Sequence, residues 1–252
     1  MKKLLLLALA AIMALSCVAC GPATTEDPSK KSEGVMTYAE YAAAEFDSKV
    51  VIEAYVQAKQ WHWTDVKGIS KATFYMQDGD GAYLLYDMPC SKADYDKMTK
   101  GSKLKITGYK SIWDGEIEII EATYEFLPGN YVAPVTDVTD KLGTADLINY
   151  MNRFVSFKGM TVEASKDKNG NDVAFLYKWD GSGSEGSDLY FNVSLNGQTY
   201  NFVVESYLCG ADTDVYKAVK ALEIGDKIDL EGFLYWYNTS LNPHITAVKA
   251  AD

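Results

Sequence analysis

The alternation of apolar and polar positions after residue 36 predicts the same succession of elements twice. In each half a short helix precedes a long alternating strand, a strand hairpin follows, and a second helix leads into two more strands. The hairpins turn at Asp78-Gly79-Asp80-Gly81 and at Asn196-Gly197, which are strong turn signals. The chain therefore repeats one mainly β unit.

Capping residues precede the predicted helices. Thr37 and Glu40 have the spacing of a capping box, Ser91 precedes the internal helix of the first half, and Asp212 or Thr213 precedes that of the second. A further helix is predicted over residues 144–152, where apolar side chains fall on one stripe.

The element order of each half resembles the OB-fold, a five-stranded barrel with a helix between strands three and four. The predicted fold class is therefore mainly β with short helices, built as two tandem OB-fold-like five-stranded barrels. We expect the first domain at residues 37–128, a linker at 129–143 and the second domain at 144–252; Pro128, Gly129 and Pro134 mark the start of the linker. A single antiparallel sandwich across both halves is the alternative.

The N-terminus has the pattern of an export signal. Lys2 and Lys3 precede an apolar run over 4–15 that is too short to span a bilayer. Val18-Ala19-Cys20-Gly21 resembles a bacterial lipobox, which implies removal of residues 1–19 and lipidation of Cys20, with Cys17 or an ordinary cleaved signal as alternatives. Residues 20–36 then form the lipidated cysteine and a flexible tether. The predicted location is the outside of the bacterial cell membrane.

A second resemblance concerns short segments of the first half. Tyr-Ala-Glu-Tyr at 38–41, the turn at 77–83 and the lysine–glycine strand at 103–108 are similar to uncharacterised bacterial surface lipoproteins with tandem OB-fold-like domains, from Gram-positive species. The resemblance implies surface binding and supplies no catalytic residue.

All five tryptophans map to the two loops that frame the ligand face of an OB-fold, or to their strand ends. Parity along strand one places Tyr55 on the face opposite the core. Such rings stack on sugars, bases or partner side chains, and the alternative is that they pack into barrel ends or between domains. The candidate ligand-binding residues are Tyr55, Trp61, His62, Trp63, Trp113, Trp179, Trp236 and Tyr237.

Charge and composition narrow the function. Lysine and arginine total 24 against 35 aspartates and glutamates, so the net charge is −11, and a positive groove for nucleic acid is hard to build. The chain has two histidines, and no nucleophile–base pair is visible, so we expect no catalysis, no cofactor and no metal site.

The preferred function is a surface-anchored, non-catalytic binding or adaptor lipoprotein that engages an extracellular glycan or protein through aromatic loops. Single-stranded nucleic acid is the second choice of ligand, because OB-folds often bind it by stacking. An enzyme, such as an accessory subunit of an extracellular hydrolase, comes third.

Three further features receive structural interpretations. Cys90 and Cys209 share a repeat position and are expected to be buried or unreactive, with a disulfide or chemistry as alternatives. Residues 167–172 carry calcium-type oxygens, but Lys178 stands where an EF-hand needs glutamate, so a solvated turn is predicted. The glycine- and serine-rich run over 180–188 is expected to be a mobile loop beside Trp179.

Overall fold

A computed structural model describes residues 27–251, so the predicted export signal and Cys20 lie outside the described residues. The elements of the first half are α1 (Tyr38–Ala43), β1 (Lys49–Lys59), β2 (Trp63–Thr64), β3 (Ser70–Gln77), β4 (Ala82–Pro89), α2 (Lys92–Lys97), β5 (Ser102–Trp113) and β6 (Glu116–Asn130). Between residues 27 and 251, no helix has the length and apolar character needed to cross a membrane.

The second half begins with a two-residue strand and two 3₁₀ helices, Thr139–Lys141 and Ala145–Tyr150. Its strands and helix are β7 (Thr136–Asp137), β8 (Phe154–Glu163), β9 (Ser165–Lys166), β10 (Asp172–Val173), β11 (Leu176–Tyr177), β12 (Leu189–Leu195), β13 (Gln198–Val204), α3 (Asp214–Lys220), β14 (Lys227–Phe233), β15 (Trp236–Tyr237), β16 (Ser240–Leu241) and β17 (His244–Ala250).

Five strands of each half close into a barrel. In the first, β1 pairs with β3 and β5, β3 pairs with β4, and β6 joins β5 to β4 through one antiparallel and one parallel pairing. In the second, β8, β12, β13, β17 and β14 close in the same order, with β13 and β17 parallel. This is the predicted fold class, two OB-fold-like five-stranded barrels, and it is confirmed.

Strand alternation gives each barrel its own core. Along β1, Val50, Ile52, Ala54 and Val56 point inward and are almost completely buried, as their period of two predicts. In the second barrel, Phe157, Phe191 and Phe202 fill the equivalent space. Because burial of such side chains drives folding, the two cores stabilise two separate barrels.

The helix ends follow local hydrogen bonding. Thr37 and Glu40 form the predicted capping box, and the side chains of Ser91 and Thr213 accept from the first turns of α2 and α3. The helix predicted over 144–152 is instead 3₁₀ over Ala145–Tyr150, and the Thr144 hydroxyl donates to the Lys141 carbonyl (2.8 Å) rather than capping the turn.

Direct contacts join the two barrels. The Tyr75 and Phe233 rings lie 4.4 Å apart and form a small apolar cluster with Leu84. Glu116 Oε2 accepts a hydrogen bond from the Trp236 backbone N–H (2.9 Å). These contacts place β3 and β6 of the first barrel against the β14–β17 connection of the second.

The segment predicted as a linker is packed rather than free. β6 continues to Asn130, the Ala133 N–H donates to Gln57 Oε1 (2.9 Å), and β7 pairs in parallel with β8. Val138 is buried in the second core. The segment therefore contacts both barrels, and the predicted domain boundaries stay predictions.

The described part of the predicted flexible tether, residues 27–36, also lies on the first barrel. Lys31 Nζ donates to Asp78 Oδ2 (2.5 Å) and to the Glu53 carbonyl (2.7 Å). The Met36 N–H donates to the Val51 carbonyl (2.9 Å), and Val35 is buried. A buried ion pair and a backbone hydrogen bond hold this segment against the first barrel.

Candidate functional site

A cleft of about 460 Å³ opens between the two barrels, a size typical of ligand sites. The first barrel contributes the connection from β1 to β3 and the outer side of β4. The second contributes β12, the end of β13 and the connection from β14 to β17. We call this site the inter-barrel cleft; its described lining residues are Gln60, Trp61, Trp63, Tyr86, Asp87, Tyr190, Val203, Glu205, Tyr207, Tyr235, Tyr237, Asn242 and His244.

Aromatic rings from both barrels stand around the opening. Trp61, Trp63 and Tyr86 come from the first barrel, and Tyr207 and Tyr237 from the second, each 40% to 54% exposed. The Trp61 and Tyr207 rings lie 4.5 Å apart, and the Trp61 N–H donates to the Tyr207 carbonyl (2.9 Å). A cluster of exposed aromatic rings is typical of a binding surface, because soluble monomeric proteins rarely expose large contiguous apolar patches to water.

Hydrogen bonds between the barrels hold the bottom of the cleft. The Tyr75 hydroxyl oxygen lies 2.5 Å from His244 Nδ1 in a hydrogen bond, and Gln60 Nε2 donates to the Tyr75 oxygen (3.4 Å). Burial lowers the pKa of His244 to about 3, so the ring is neutral. Tyr235 stacks on the same imidazole at 4.2 Å. The bottom of the cleft is therefore rigid and uncharged.

The polar lining is rich in hydrogen-bond acceptors. Glu205 Oε2 accepts from Gln60 Nε2 (3.1 Å) and from the Leu208 N–H (3.0 Å). Burial, followed by the nearby charge of Asp188, raises the pKa of Glu205 to about 8. Asp87 is the other lining carboxyl group, and none of the described lining residues is lysine or arginine. The cleft thus offers stacking surfaces and acceptors, with no cation to hold a phosphate.

Three predicted ligand residues, Trp61, Trp63 and Tyr237, come together in the inter-barrel cleft. Trp113 and Trp179 do not reach it; they are 60% and 69% exposed at the β5–β6 turn and beside the run over 180–188. His62 does not line the cleft either: its Nε2 lies 3.0 Å from the Cys90 carbonyl oxygen, and its ring packs against Tyr95.

Two predicted residues are buried, and their assignment to a ligand face is corrected. Tyr55 is 2% exposed, because Tyr131 from the chain after the first barrel covers its ring at 5.4 Å. Trp236 is 9% exposed and packs into the second core. Neither ring lines the inter-barrel cleft.

The loop predicted to be mobile, residues 180–188, is fastened to the second barrel. Glu185 Oε2 accepts from the Tyr177 hydroxyl (2.8 Å) and from Lys220 Nζ (2.5 Å). The Gly186 N–H donates to the Tyr216 hydroxyl (2.9 Å). These bonds hold the loop on the second barrel, and none of its residues lines the inter-barrel cleft.

The lining residues that the sequence prediction missed include Tyr86, Asp87, Glu205, Tyr207 and Tyr235. Tyr235 lies beside the predicted Trp236 and Tyr237, so aromatic clustering could have included it. Tyr207 follows β13 with no pattern around it, and only the approach of the barrels gives it a role. Asp87 carries a backbone signal, a φ of 47°, that the sequence does not reveal.

The cysteines and the oxygen-rich turn have structural roles. Cys90 and Cys209 are buried free thiols, and burial raises their pKa to about 11 and about 12, so they are poor nucleophiles. In the turn, Asp167 Oδ1 accepts from the Asn169 and Asn171 N–H groups (both 2.8 Å). Across residues 27–251, no group of three or more His, Cys, Asp or Glu side chains could hold a metal ion.

Solved structures with a similar fold are known, at low identity. No protein-family model and no curated protein matches the chain. A murine DNA-binding protein bound to double-stranded DNA is 12% identical, with 80% of this chain and 96% of that chain covered and a TM-score of 0.37. A deletion mutant of the Thermus aquaticus single-stranded DNA-binding protein is 12% identical, with coverages of 81% and 94% and a TM-score of 0.27. A replication protein A heterotrimer bound to single-stranded DNA is 13% identical, with coverages of 86% and 52% and a TM-score of 0.32.

These neighbours correct the predicted order of ligands. The sequence favours a surface adaptor for a glycan or a protein over a nucleic-acid-binding protein, whereas the structures named above are of proteins that bind DNA. The adaptor prediction is therefore wrong and is not carried further. A likeness at this level shows the fold alone, so the ligand must be argued from the residues of the inter-barrel cleft.

Proposed function

We propose that the protein binds single-stranded nucleic acid by taking unpaired bases into the inter-barrel cleft. The observation that carries the proposal is the set of five half-exposed aromatic rings, Trp61, Trp63, Tyr86, Tyr207 and Tyr237, around one opening. Every base has a flat face, and stacking on an aromatic side chain contributes about 1–3 kcal/mol per base. Two of the contributing segments occupy the loop positions that frame ligands in OB-folds.

The charge of the cleft defines how such binding works. The described lining has Asp87 and Glu205 but no lysine or arginine, and the chain carries a net charge of −11. Phosphates therefore stay outside the cleft, and stacking supplies most of the affinity. Because few counterions are released, affinity depends weakly on salt, unlike that of proteins with basic grooves.

A binding assay on the purified protein tests this proposal. A fluorescent 12-nucleotide single strand of mixed sequence is titrated at about 50 mM and 200 mM salt, with the matching duplex as the control. We expect the single strand to bind more tightly than the duplex and its affinity to change less than about tenfold between the two salts. Failure of the single strand to bind overturns the proposal. Binding of a tetraalkylammonium cation instead of the strand also overturns it, since aromatic rings beside carboxylates also suit cations.

We also propose that the protein is exported and anchored to the membrane by lipid on Cys20, which would place the nucleic acid outside the cell. The support is the lipobox-like Val18-Ala19-Cys20-Gly21 after a short apolar run. Replacing Cys20 by serine should abolish labelling with a fatty-acid analogue and release the protein from membranes. Labelling that survives this change and is lost in Cys17→Ser would contradict the assignment. The absence of a catalytic role stays a prediction.

A further inference from the structure

Asp87 has an unusual backbone conformation at the edge of the inter-barrel cleft. Its φ of 47° lies in the left-handed region, which non-glycine residues seldom adopt and which costs free energy. The conformation falls where the β3–β4 pairing shifts register between Ala72 and Phe74, and the Thr73 hydroxyl accepts the Asp87 N–H (3.2 Å). This irregularity turns the Asp87 side chain toward the inter-barrel cleft.

The carboxylate of Asp87 is held in a fixed position. Oδ2 lies 3.1 Å from Lys71 Nζ, and Oδ1 accepts a hydrogen bond from Trp63 Nε1 (3.3 Å). Lys71 also lies 4.5 Å from the centre of the Trp63 ring and 3.5 Å from Asp65. The ammonium group and the indole therefore fix the plane of the carboxylate beside an exposed stacking surface.

Each carboxylate oxygen accepts more than one hydrogen bond, so both oxygens of Asp87 keep acceptor capacity after these contacts. An ionised carboxylate has no proton to donate. Among the bases, guanine alone has two adjacent donors, N1–H and the N2 amino group, on its pairing edge. Adenine and cytosine present one donor beside an acceptor, and thymine presents one donor between two acceptors. Two parallel hydrogen bonds are thus available to guanine only.

We propose that Asp87 selects guanine among the bases that enter the inter-barrel cleft, with Trp63 and Tyr86 as its neighbouring stacking surfaces. The inference rests on the proposed function and adds a preference to it. Bidentate contacts to a base edge discriminate against the wrong base by about 1–3 kcal/mol, so guanine should bind about 5- to 150-fold more tightly than the others.

Short strands with one test base between thymidines measure this preference. The test bases are guanine, hypoxanthine, adenine and cytosine. Hypoxanthine is the matched control, because it keeps the guanine ring and N1–H but lacks the N2 amino group. We expect the guanine strand to bind about tenfold more tightly than the hypoxanthine strand.

Asp87→Asn should bring the affinity ratio of guanine to hypoxanthine close to one, because an amide offers one acceptor and one donor to the two donors of guanine. Asp65→Asn is the matched control variant. It makes the same chemical change at the other carboxyl partner of Lys71, which does not line the cleft, and should retain the ratio.

The outcomes separate the two proposals. If the strands bind with no preference for guanine over hypoxanthine, the inference is wrong while the proposed function stands. If no strand binds, the proposed function fails and the inference fails with it. Thermal melting checks that Asp87→Asn is folded; should it not fold, the comparison of guanine with hypoxanthine on the unchanged protein still decides the preference.

Discussion

The two barrels share strand order but contribute unlike loops to the inter-barrel cleft. After its first strand, the first barrel places Trp61 and Trp63 at the opening, whereas the corresponding connection of the second barrel carries Trp179 out into solvent. Between the last two strands the contributions reverse: Tyr237 lines the cleft, and Trp113 does not. A repeated unit has therefore produced one composite site rather than two equal ones.

The contacts between the barrels explain this asymmetry. The β5–β6 turn of the first barrel contacts the second barrel directly. There the Thr239 backbone N–H donates to the Asp114 carbonyl (3.0 Å), and Glu116 accepts from the Trp236 backbone N–H. Trp113 lies next to these contacts and is exposed to solvent. In the equivalent loop of the second barrel, Tyr237 lines the inter-barrel cleft. Positions that are equivalent in the repeat therefore have different surroundings.

The largest expected effect separates Trp236 from its neighbour Tyr237. Trp236→Ala should reduce the free energy of unfolding by about 3–5 kcal/mol, because it empties part of the second core. Tyr237→Ala removes a half-exposed ring and should cost less than about 1 kcal/mol. Urea denaturation of both variants measures the difference. Equal costs would mean that Trp236 is not a core residue.

Glu116, in the contact between the barrels, should make the free energy of unfolding depend on pH. This carboxyl group is fully buried, its Oε1 has no hydrogen-bond partner among the described residues, and burial raises its pKa from 4.5 to about 8. The unfolded chain ionises above about pH 4.5 while the folded chain keeps the proton, so stability falls as pH rises from about 4.5 to 8.

Glu116→Gln should reduce this loss of stability by an amount on the order of a few kcal/mol. Part of the loss should remain, because the pKa of Glu205 is also raised to about 8. Urea denaturation at pH 5 and pH 8 measures the change. The exposed Glu125 of the same strand provides the control, since Glu125→Gln should retain the fall. An unchanged pH dependence in Glu116→Gln would contradict the assignment.

The fold could be predicted from the sequence because strands and tight turns are specified by residues that are close together in the chain. Alternation along β1 and the turn at Asn196-Gly197 depend on residues close in the chain, and the structure has the corresponding strands. The site was only partly accessible. Trp61, Trp63 and Tyr237 lie in loops that any OB-fold places near its ligand face, whereas Tyr207 and Glu205 reach the inter-barrel cleft only because two barrels meet.

The errors have the same physical origin. Strand parity correctly turns Tyr55 away from the barrel interior, but parity cannot reveal that Tyr131, 76 residues later, covers the outer face. In the same way, loop position does not distinguish Trp236 from Tyr237, of which one turns into the core and the other into the cleft. Contacts distant in sequence decide both cases.

Affinity should distinguish the tryptophan in the inter-barrel cleft from its exposed counterpart at the β5–β6 turn. Trp63→Ala should weaken binding of a single strand by about 1–3 kcal/mol, through loss of base stacking. Trp113→Ala removes an equally large and more exposed ring outside the cleft and should leave affinity within about 0.5 kcal/mol of the parent. Anisotropy titrations measure both, and equal losses would show that ring exposure rather than the cleft governs binding.

The smallest expected effect is that of Trp179→Ala, which tests whether the second barrel has a site of its own. Trp179 is 69% exposed, and it lies next to a loop that Tyr177, Lys220 and Tyr216 fasten away from the inter-barrel cleft. Its removal should therefore change neither unfolding free energy nor affinity by more than about 0.5 kcal/mol. A loss of 1 kcal/mol or more in affinity, with stability intact, would mean that the loop after β8 contacts ligand independently. The two barrels would then be equivalent in function as well as in fold, and the composite site would be only one of two.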